Sequence, residues 1–404
     1  MSQSGPSTLI PLNPFDRRAR PDPYPVYQYM RTVEPVHKSP VGFWILTRYD
    51  DCRMVLTDKR WSHDADRILE PQRGDDDPVD PTVRLVRASV AFSDPPLHAR
   101  HRRPLEAAMK NAMKGSTART IRVAHDLVGL LREKESGADV MRDYAMPLAL
   151  VALTDLMGFP SADRGQLQRW SRELIAGIDP GIKGAGVMRA SAAATAMVEY
   201  LLSQVESSRD GDGAGAGMLS DLVGKAGKLR TWDLIADLTV FLVVGVETSS
   251  ALIGNAMLAL LRNPEQMRKL RDQPSLIDTG LEELIRYDGP IHLTARVADA
   301  DVLIGSTTIK AGEQAIVLLG AADRDPARFA DPDRLDLSRS DNPHLGFGGG
   351  VHSCFAAPLA KVLGRVAIGT LLAGVNEIEL AGDPVWSETV TVRGLRRLPV
   401  AVHP

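Results

Sequence analysis

A mainly helical α+β fold with small β-sheets is what this sequence predicts, and three patterns carry that expectation. From His98 to about Ser208, apolar residues recur at helical spacing, broken by turn signals at Gly158-Phe159-Pro160 and Asp179-Pro180-Gly181. A second run, with Thr231 or Asp233 as its cap, continues without proline as far as Asn263-Pro264. It amounts to about thirty residues, or roughly 45 Å at 1.5 Å per residue, enough to cross a whole protein. Strand-type alternation is confined to Phe43 through Thr47 and to the segment from His292 to Leu319.

The elements follow in order. Pro23 to Arg31 reads as a short helix, and the strand Phe43 to Thr47 precedes a turn at Tyr49-Asp50-Asp51. Between Trp61 and Asp94 the composition is polar and proline-rich around Asp75-Asp76-Asp77, which predicts a long surface loop. Gly211 to Gly217, GDGAGAG, reads as a flexible connector. A further helix ends near Tyr287, and the strands after His292 turn at Ile304-Gly305 and Lys310-Ala311-Gly312. A last helix spans about Ala356 to Ala373. Nothing repeats internally, so all 404 residues are taken as one domain.

Composition narrows the function classes. With 44% apolar and 25% charged residues, the chain can bury a large core and a cofactor with it. A net charge of -3 supplies no basic field for a phosphate backbone, so no nucleic acid is expected as a partner. Cys52 and Cys354 form no disulfide framework, which suits a reducing cytoplasm. The polar, proline-rich amino terminus is neither signal peptide nor anchor, and the apolar stretch Leu238 to Val246 is short for a bilayer. A soluble cytoplasmic monomer without a membrane is expected.

The chemistry concentrates where Phe347-Gly348-Gly349-Gly350-Val351-His352-Ser353-Cys354 brings a cysteine to the first turn of the last helix. Unpaired N–H groups and the positive end of the helix dipole stabilise an anion there, so Cys354 is expected as the thiolate, the form that ligates metal. Glycines permit close approach of the backbone to a flat ligand, and Phe347 can pack beside it. Taken alone, a cytosolic cysteine is more often an inert buried thiol. These residues, however, resemble the haem-binding signature F-G-x-G-x-H-x-C-x-G of the cytochrome P-450 family. They match it at Phe347, Gly348, Gly350, His352 and Cys354, with Ala356 at the last glycine. The resemblance implies the P-450 fold, with haem b between the long central helix and the cysteine-loop helix, and Cys354 as iron ligand.

Further stretches extend the resemblance over nearly the whole chain. Glu283-Leu284-Ile285-Arg286 is by itself an ordinary helix-face ion pair. In the family this E-x-x-R forms a buried structural pair beneath the haem, closed by another arginine, for which Arg339 and Arg334 are both candidates. Val244-Gly245-Val246-Glu247-Thr248-Ser249 sets a glycine, an acid and an alcohol inside an apolar helix. Glycine costs about 1 kcal/mol against alanine there, and threonine competes for helix carbonyls. The bare alternative is a packed glycine beside a capped threonine. By resemblance, a local opening at Gly245 makes room for dioxygen, Thr248 holds a water network and Glu247 relays protons. Val244 stands where the family usually has alanine and narrows the substrate pocket. Asp94 to Arg103 resembles D-P-P-x-H-x-R-x-R-R, so His98 and Arg102, with Arg296 and His352, are implied contacts of the haem propionates. Gly320 to Pro326 resembles A-A-N-R-D-P with Asp323 in place of asparagine, and Val392-Arg393-Gly394-Leu395 resembles a motif near the C-terminus.

The activity so implied is a haem-thiolate monooxygenase of secondary metabolism, inserting one atom of O2 by hydroxylation or epoxidation into a small lipophilic substrate. A polyketide, terpenoid or steroid suits the 5% aromatic content and aliphatic pocket segments. By family position the walls come from residues 61–92, 175–187, 242–248, 291–294 and 388–390, with Leu242, Val244, Ile291, Leu293 and Val390 as lining residues. No flavin or iron–sulfur domain is apparent, so electrons are expected from a separate ferredoxin and ferredoxin reductase. Arg103, Lys110, Lys114, Lys361 and Arg365 would attract an acidic partner. Oxidative coupling or peroxide-driven oxidation is the alternative within the family, and a haem-binding sensor the alternative outside catalysis. The Glu247-Thr248 pair favours oxygen activation over both.

Overall fold

The computed structural model describes residues 13–69, 80–134, 137–179, 182–210, 217–225 and 229–403. The N-terminal part forms α1 (Tyr24–Val33), β1 (Val36–Lys38), β2 (Trp44–Leu46), α2 (Tyr49–Thr57), β3 (Trp61–Ser62) and α3 (Ala65–Leu69). Tyr49-Asp50-Asp51, expected as a turn, instead opens α2. Its two acids sit in the first helical turn, where the dipole favours them, and the Asp325 carboxylate accepts the Tyr49 N–H at 2.8 Å. The expected long loop between Trp61 and Asp94 holds β3, α3 and α4 (Pro81–Arg87), while Asp75-Asp76-Asp77 lie outside the described residues. Its prolines misled the reading: Asp80 caps the Thr82 N–H at 2.8 Å and Pro81 occupies the first helical position, together a helix start.

The helical body comprises α5 (Leu97–Arg132), α6 (Met146–Met157), α7 (Arg164–Gly177), α8 (Ala185–Arg209), α9 (Met218–Lys225), α10 (Thr231–Arg262), α11 (Pro264–Asp272) and α12 (Ile277–Asp288), with β4 (Ala138–Asp139) between α5 and α6. Gly158 ends α6 in the left-handed conformation, φ 86°, as its turn signal implied. Pro180-Gly181 and residues 211–216 of the expected connector lie outside the described residues. The cap of α10 is Arg230 rather than Thr231 or Asp233; Asp233 lies inside the first turn and accepts two hydrogen bonds from the Arg230 guanidinium at 2.9 Å. The helix is 32 residues long and buried from Leu234 to Leu260 on almost every side, packed on α6, α7, α12 and α14 (Ala357–Gly374). By length and composition α10 and α14 could each cross a membrane, although the apolar run inside α10 had looked too short. Instead α10 forms the centre of the main apolar core.

The strand signals at the two ends of the chain meet in one sheet of order β1-β2-β8-β5-β3, with β5 (Thr294–Ala298) and β8 (Gln314–Val317) inserted among the N-terminal strands. β2 runs parallel to β8, Trp44 beside Ala315, whereas β3 pairs antiparallel with β5, Ser62 beside Val297. β6 (Val302–Ile304) and β7 (Thr307–Ile309) form a hairpin, and α13 (Leu319–Ala322) follows β8. β9 (Glu377–Leu380), β10 (Val385–Trp386), β11 (Leu395–Arg397) and β12 (Pro399–His403) complete the chain, β12 lying between β4 and β9. A second apolar cluster under the main sheet contains the fully buried Cys52, whose thiol donates to the Leu46 carbonyl at 3.4 Å. Its burial pushes the thiol pKa well up, so Cys52 is a structural residue.

Candidate functional site: a cysteine loop beneath the central helix

The loop before α14 folds around two glycines with positive φ, Gly348 at 70° and Gly350 at 64°. At Gly350 a Cβ would collide with the Leu56 carbonyl oxygen, so the loop closes on α2 only with glycine there. Leu345 O accepts from Gly348 N–H at 2.7 Å and Phe347 O from Cys354 N–H at 2.9 Å, which closes the loop from Phe347 to the cysteine. Phe355 stacks on Phe241 of α10, ring centroids 5.8 Å apart, so the loop sits against the central helix. Cys354 lies three positions before α14 begins, not within its first turn, yet the Ala356 and Ala357 N–H groups still reach its sulfur. The thiol is solvent-accessible. Burial nevertheless raises its pKa, outweighing the two amides and the Arg102 charge, so the free thiol is not the ready thiolate expected from the helix end. Ala356 has φ −86°, a conformation that needs no glycine.

Beneath the loop, Glu283 and Arg286 are completely buried and joined by a two-pronged ion pair at 2.7 and 2.9 Å. A solvated helix-face pair is thereby excluded. Glu283 also accepts from Arg339 at 3.0 Å, from Asn342 at 3.3 Å and from the Asp336 N–H at 3.0 Å. Arg339 is therefore the third member, while Arg334 offers Arg286 only its carbonyl, 3.5 Å away. Arg286 reaches across to the Asp323 and Pro332 carbonyls. Asp323 accepts the Leu345 N–H at 2.6 Å at the head of the cysteine loop, and burial pushes its pKa up to about 6.

At the other side of the loop, basic side chains from β5, α5 and the loop itself converge. His98 and His352 have ring centroids 4.5 Å apart, and His352 Nε2 lies 3.5 Å from the half-buried Asp94 carboxylate. Burial, with the His352 and Arg102 charges, holds His98 down at about 4. Arg296 is only 3% exposed, donates to Thr294 Oγ1 and the Ala295 carbonyl, and has no carboxylate partner among the described residues. Burial lowers its pKa to about 10. Arg102, expected at a propionate, directs Nη1 to the Val351 and Ser353 carbonyls at 2.8 and 2.7 Å and Nε to Glu106. It thus clamps the cysteine loop to α5. His63 joins this group without any sequence signal, because it is brought there by the long-range pairing of β3 with β5.

On α10 the acid and alcohol lie one turn below Val244. α10 runs unbroken through Gly245, and Thr248 Oγ1 donates to the Val244 carbonyl at 2.7 Å, a side-chain bond that competes with the helix ladder there. Gly245 turns its missing side chain toward Leu153 of α6, whose Cδ1 would lie 2.9 Å from a Cβ there. Burial pushes Glu247 up to about 7, opposed by the Arg172 charge, and its Oε1 is shut off from water with no hydrogen-bond partner. Leu242 and Val244 belong to the main core and Ile291 bridges both apolar clusters. Leu293 and Val390 stand apart from them, lining a small surface cleft of about 50 Å³ with Phe15, Tyr27 and Trp386. Among the expected docking cations, Arg103, Lys110 and Lys114 are exposed on α5. Lys361 and Arg365 instead pair with Glu282 and Asp278 at 2.8 and 2.7 Å.

Comparison with known proteins agrees with this arrangement. The family model for cytochrome P450 matches residues 187–374. The chain is 33% identical to cytochrome P450 107B1 of Saccharopolyspora erythraea over 400 residues, covering 96% of both. It is 34% identical to the vitamin D(3) 25-hydroxylase of Pseudonocardia autotrophica, covering 95% of this chain and 94% of that one. The crystal structure of P450BioI in complex with an acyl carrier protein carrying hexadec-9Z-enoic acid superposes with a TM-score of 0.88 at 31% identity. It covers 96% of this chain and 100% of that one. A cysteine on a glycine-pinned loop, the buried Glu283–Arg286–Arg339 network beneath it and this full-length similarity together place the chain in the cytochrome P450 family, as an oxidoreductase of the haem-thiolate monooxygenase type.

Proposed function

We propose that this P450 inserts one oxygen atom from O2 into a small lipophilic secondary metabolite, with haem b ligated by Cys354 and electrons from a ferredoxin and its reductase in the cytoplasm. The observation that carries the proposal is the uncompensated positive charge beside Cys354. Arg296 is buried with no ion-pair partner among the described residues, and through Thr294 it lies next to His63, whose ring meets that of His352. Buried cations call for anions, and the two carboxylates of haem b supply them. At Gly348 a side chain would find open space, and Phe347 is joined to Cys354 through the backbone. The residues therefore fit the group. When bound, haem supplies the O2-dependent oxidation chemistry; the chain supplies ligation, proton delivery and a dry pocket.

Cys354 Sγ would hold the haem iron as the thiolate, with the Ala356 and Ala357 N–H groups stabilising the sulfur charge. Glu247, near 7, can both accept a proton from the solvent side and release it at neutral pH. The Thr248 hydroxyl uses its hydrogen on the Val244 carbonyl, so its oxygen is free to accept from water or substrate-side groups. Leu242, Val244 and Ile291 make the pocket aliphatic and exclude water. The names of the relatives, one a vitamin D(3) hydroxylase, support a lipophilic substrate. Turnover is favoured over a sensor role because a carboxyl on α10 with one oxygen buried and without a hydrogen-bond partner is a costly feature that proton transfer explains.

The test is the absorption spectrum of the reduced protein under carbon monoxide, followed by NADPH consumption with ferredoxin, its reductase and candidate lipids. A strongly red-shifted Soret band, lost in Cys354→Ser, and substrate-dependent NADPH consumption are expected. A histidine-type band in folded protein overturns the assignment of Cys354.

A further inference from the structure

The 90–92 turn, between α4 and α5, reaches the site through a chain of rings. Phe92 stacks on His63, centroids 4.8 Å apart, and the His63 ring meets that of His352, two residues before Cys354, at 5.1 Å. The backbone of the turn is held by a buried pair that none of the motifs accounts for. Asp237 of α10 accepts the Val90 N–H on Oδ1 at 2.6 Å, and its Oδ2 lies 2.9 Å from His101 Nδ1 of α5. Both residues are 1% exposed.

The surroundings decide the charge of this pair. A backbone N–H can only donate, so Asp237 Oδ1 is an acceptor and the proton of the 2.9 Å contact lies between Oδ2 and the ring. With a neutral ring, Asp237 would be a buried carboxylate without a cation. Its neighbour one turn back on α10, Asp233, is a second acid, already taken up by two hydrogen bonds from Arg230. With a protonated ring Asp237 is neutralised, and Nε2, which has no hydrogen-bond partner, turns its N–H toward Asp233 Oδ2 at 3.8 Å. Burial opposes the charged ring, as does Arg100 on the same helix. The bond to Asp237 and the charges of Asp237 and Asp233 outweigh them and raise the His101 pKa above its ordinary 6.5. Burial raises Asp237 as well, so the pair as a whole keeps its proton. The turn itself brings no titratable group.

We infer that His101 is a positioning residue for the site: its protonated ring keeps Asp237 in place as the carboxylate that fixes the 90–92 turn, and loss of the proton lets the turn go. A deprotonated ring can still donate from Nδ1, but it leaves Asp237 a buried anion. That cost is relieved when the carboxylate moves toward water and gives up the Val90 N–H. A pKa raised on folding gives stability that is complete below 6.5 and is lost as pH rises through the folded value. The turn is therefore fixed in acid and loosens on the alkaline side.

The experiment compares holoenzyme of the parent, of His101→Asn, which sets an amide donor in the place of Nδ1 but does not titrate, and of Glu247→Gln, which removes the other group that burial shifts toward neutrality. Two rates are followed from acid to alkaline pH. One is hydrogen exchange of the segment 88–94 by mass spectrometry, corrected for the intrinsic pH dependence of exchange. The other is binding of a bulky neutral ligand, tert-butyl isocyanide, to the reduced haem. In the parent the corrected exchange should speed up on the alkaline side by as much as about tenfold per pH unit, and isocyanide binding should rise with it. Both profiles should be flat in His101→Asn, and the exchange profile of Glu247→Gln should follow the parent. A flat exchange profile in the parent overturns the inference, as does a His101→Asn profile that still follows the parent. Exchange that responds while isocyanide binding does not overturns the link between the turn and the site. Only the isocyanide arm rests on the proposed haem: if the protein holds none, the proposed function falls and hydrogen exchange still decides whether His101 fixes the turn. Asp237→Asn, which keeps an acceptor for Val90 but no charge for an imidazolium, should give the same flat profile and serves if His101→Asn does not fold.

Discussion

Three residues near the proposed haem show how position, rather than type, sets chemistry. Glu247 has its folded-state pKa raised from 4.5 to about 7 by burial, so the folded protein binds a proton that the unfolded chain has already lost between those values. Its stability contribution is complete below 4.5 and declines as pH rises through 7. Glu247→Gln should therefore gain thermal stability over the parent on the alkaline side of 7 and match it in acid, read from melting temperatures across pH. The same variant should lower coupled NADPH turnover by roughly 10²-fold, the usual worth of one general acid. Gly350→Ala should abolish the red-shifted carbon monoxide band, because the added methyl meets the Leu56 carbonyl and φ 64° is strained for alanine. Cys354, Gly350 and the Glu247-Thr248 pair were legible in the sequence, since the loop and the helix interior are local patterns. His63 was not, because its neighbours Phe92, Thr294 and His352 are distant along the chain.

At the level of elements, polar side chains lock helices that apolar packing alone would leave free to slide. Asp237 of α10 is buried and accepts both the Val90 N–H at 2.6 Å and His101 Nδ1 of α5 at 2.9 Å. It thereby fastens the 90–92 turn, next to the site, to two helices. Asp237→Leu leaves a backbone donor and a buried imidazole unpaired. It should lower stability by about 3 kcal/mol, measurable by denaturant unfolding of the haem-bound protein. Arg286→Leu should be worse, since it removes the two-pronged partner of the buried Glu283 carboxylate, leaving Arg339 as its one cation, and frees the Asp323 and Pro332 carbonyls; little haem-loaded protein is expected on expression. The E-x-x-R spacing was visible in the sequence. Its burial and its closure by Arg339 were not, as the choice between Arg339 and Arg334 depends on how residues 330–342 wrap around α12.

For the whole molecule, the proposed electron donor would meet the face behind Cys354. Arg103, Lys110 and Lys114 stay exposed on α5, whereas Lys361 and Arg365 pair with Glu282 and Asp278 of α12. A charge reversal such as Lys110→Glu should raise the apparent KM for an acidic ferredoxin severalfold, more so at low ionic strength, and leave the carbon monoxide spectrum unchanged. Lys361→Glu should act mainly by breaking its pair with Glu282.

The sequence by itself determined the cysteine loop, the long central helix, the E-x-x-R pair and the helical class, because each is written in neighbouring residues through glycine conformation, helical period or spacing on one face. Only the tertiary structure decided the partners of Arg102, Arg286 and Arg296, the closed helix at Gly245, the separation of Leu293 and Val390 from the α10 pocket residues, and the arrival of His63. The partners of Arg102 and the arrival of His63 depend on contacts between segments more than two hundred residues apart, as β2 with β8 and β3 with β5 also do, and such a partner is met only after those segments have packed.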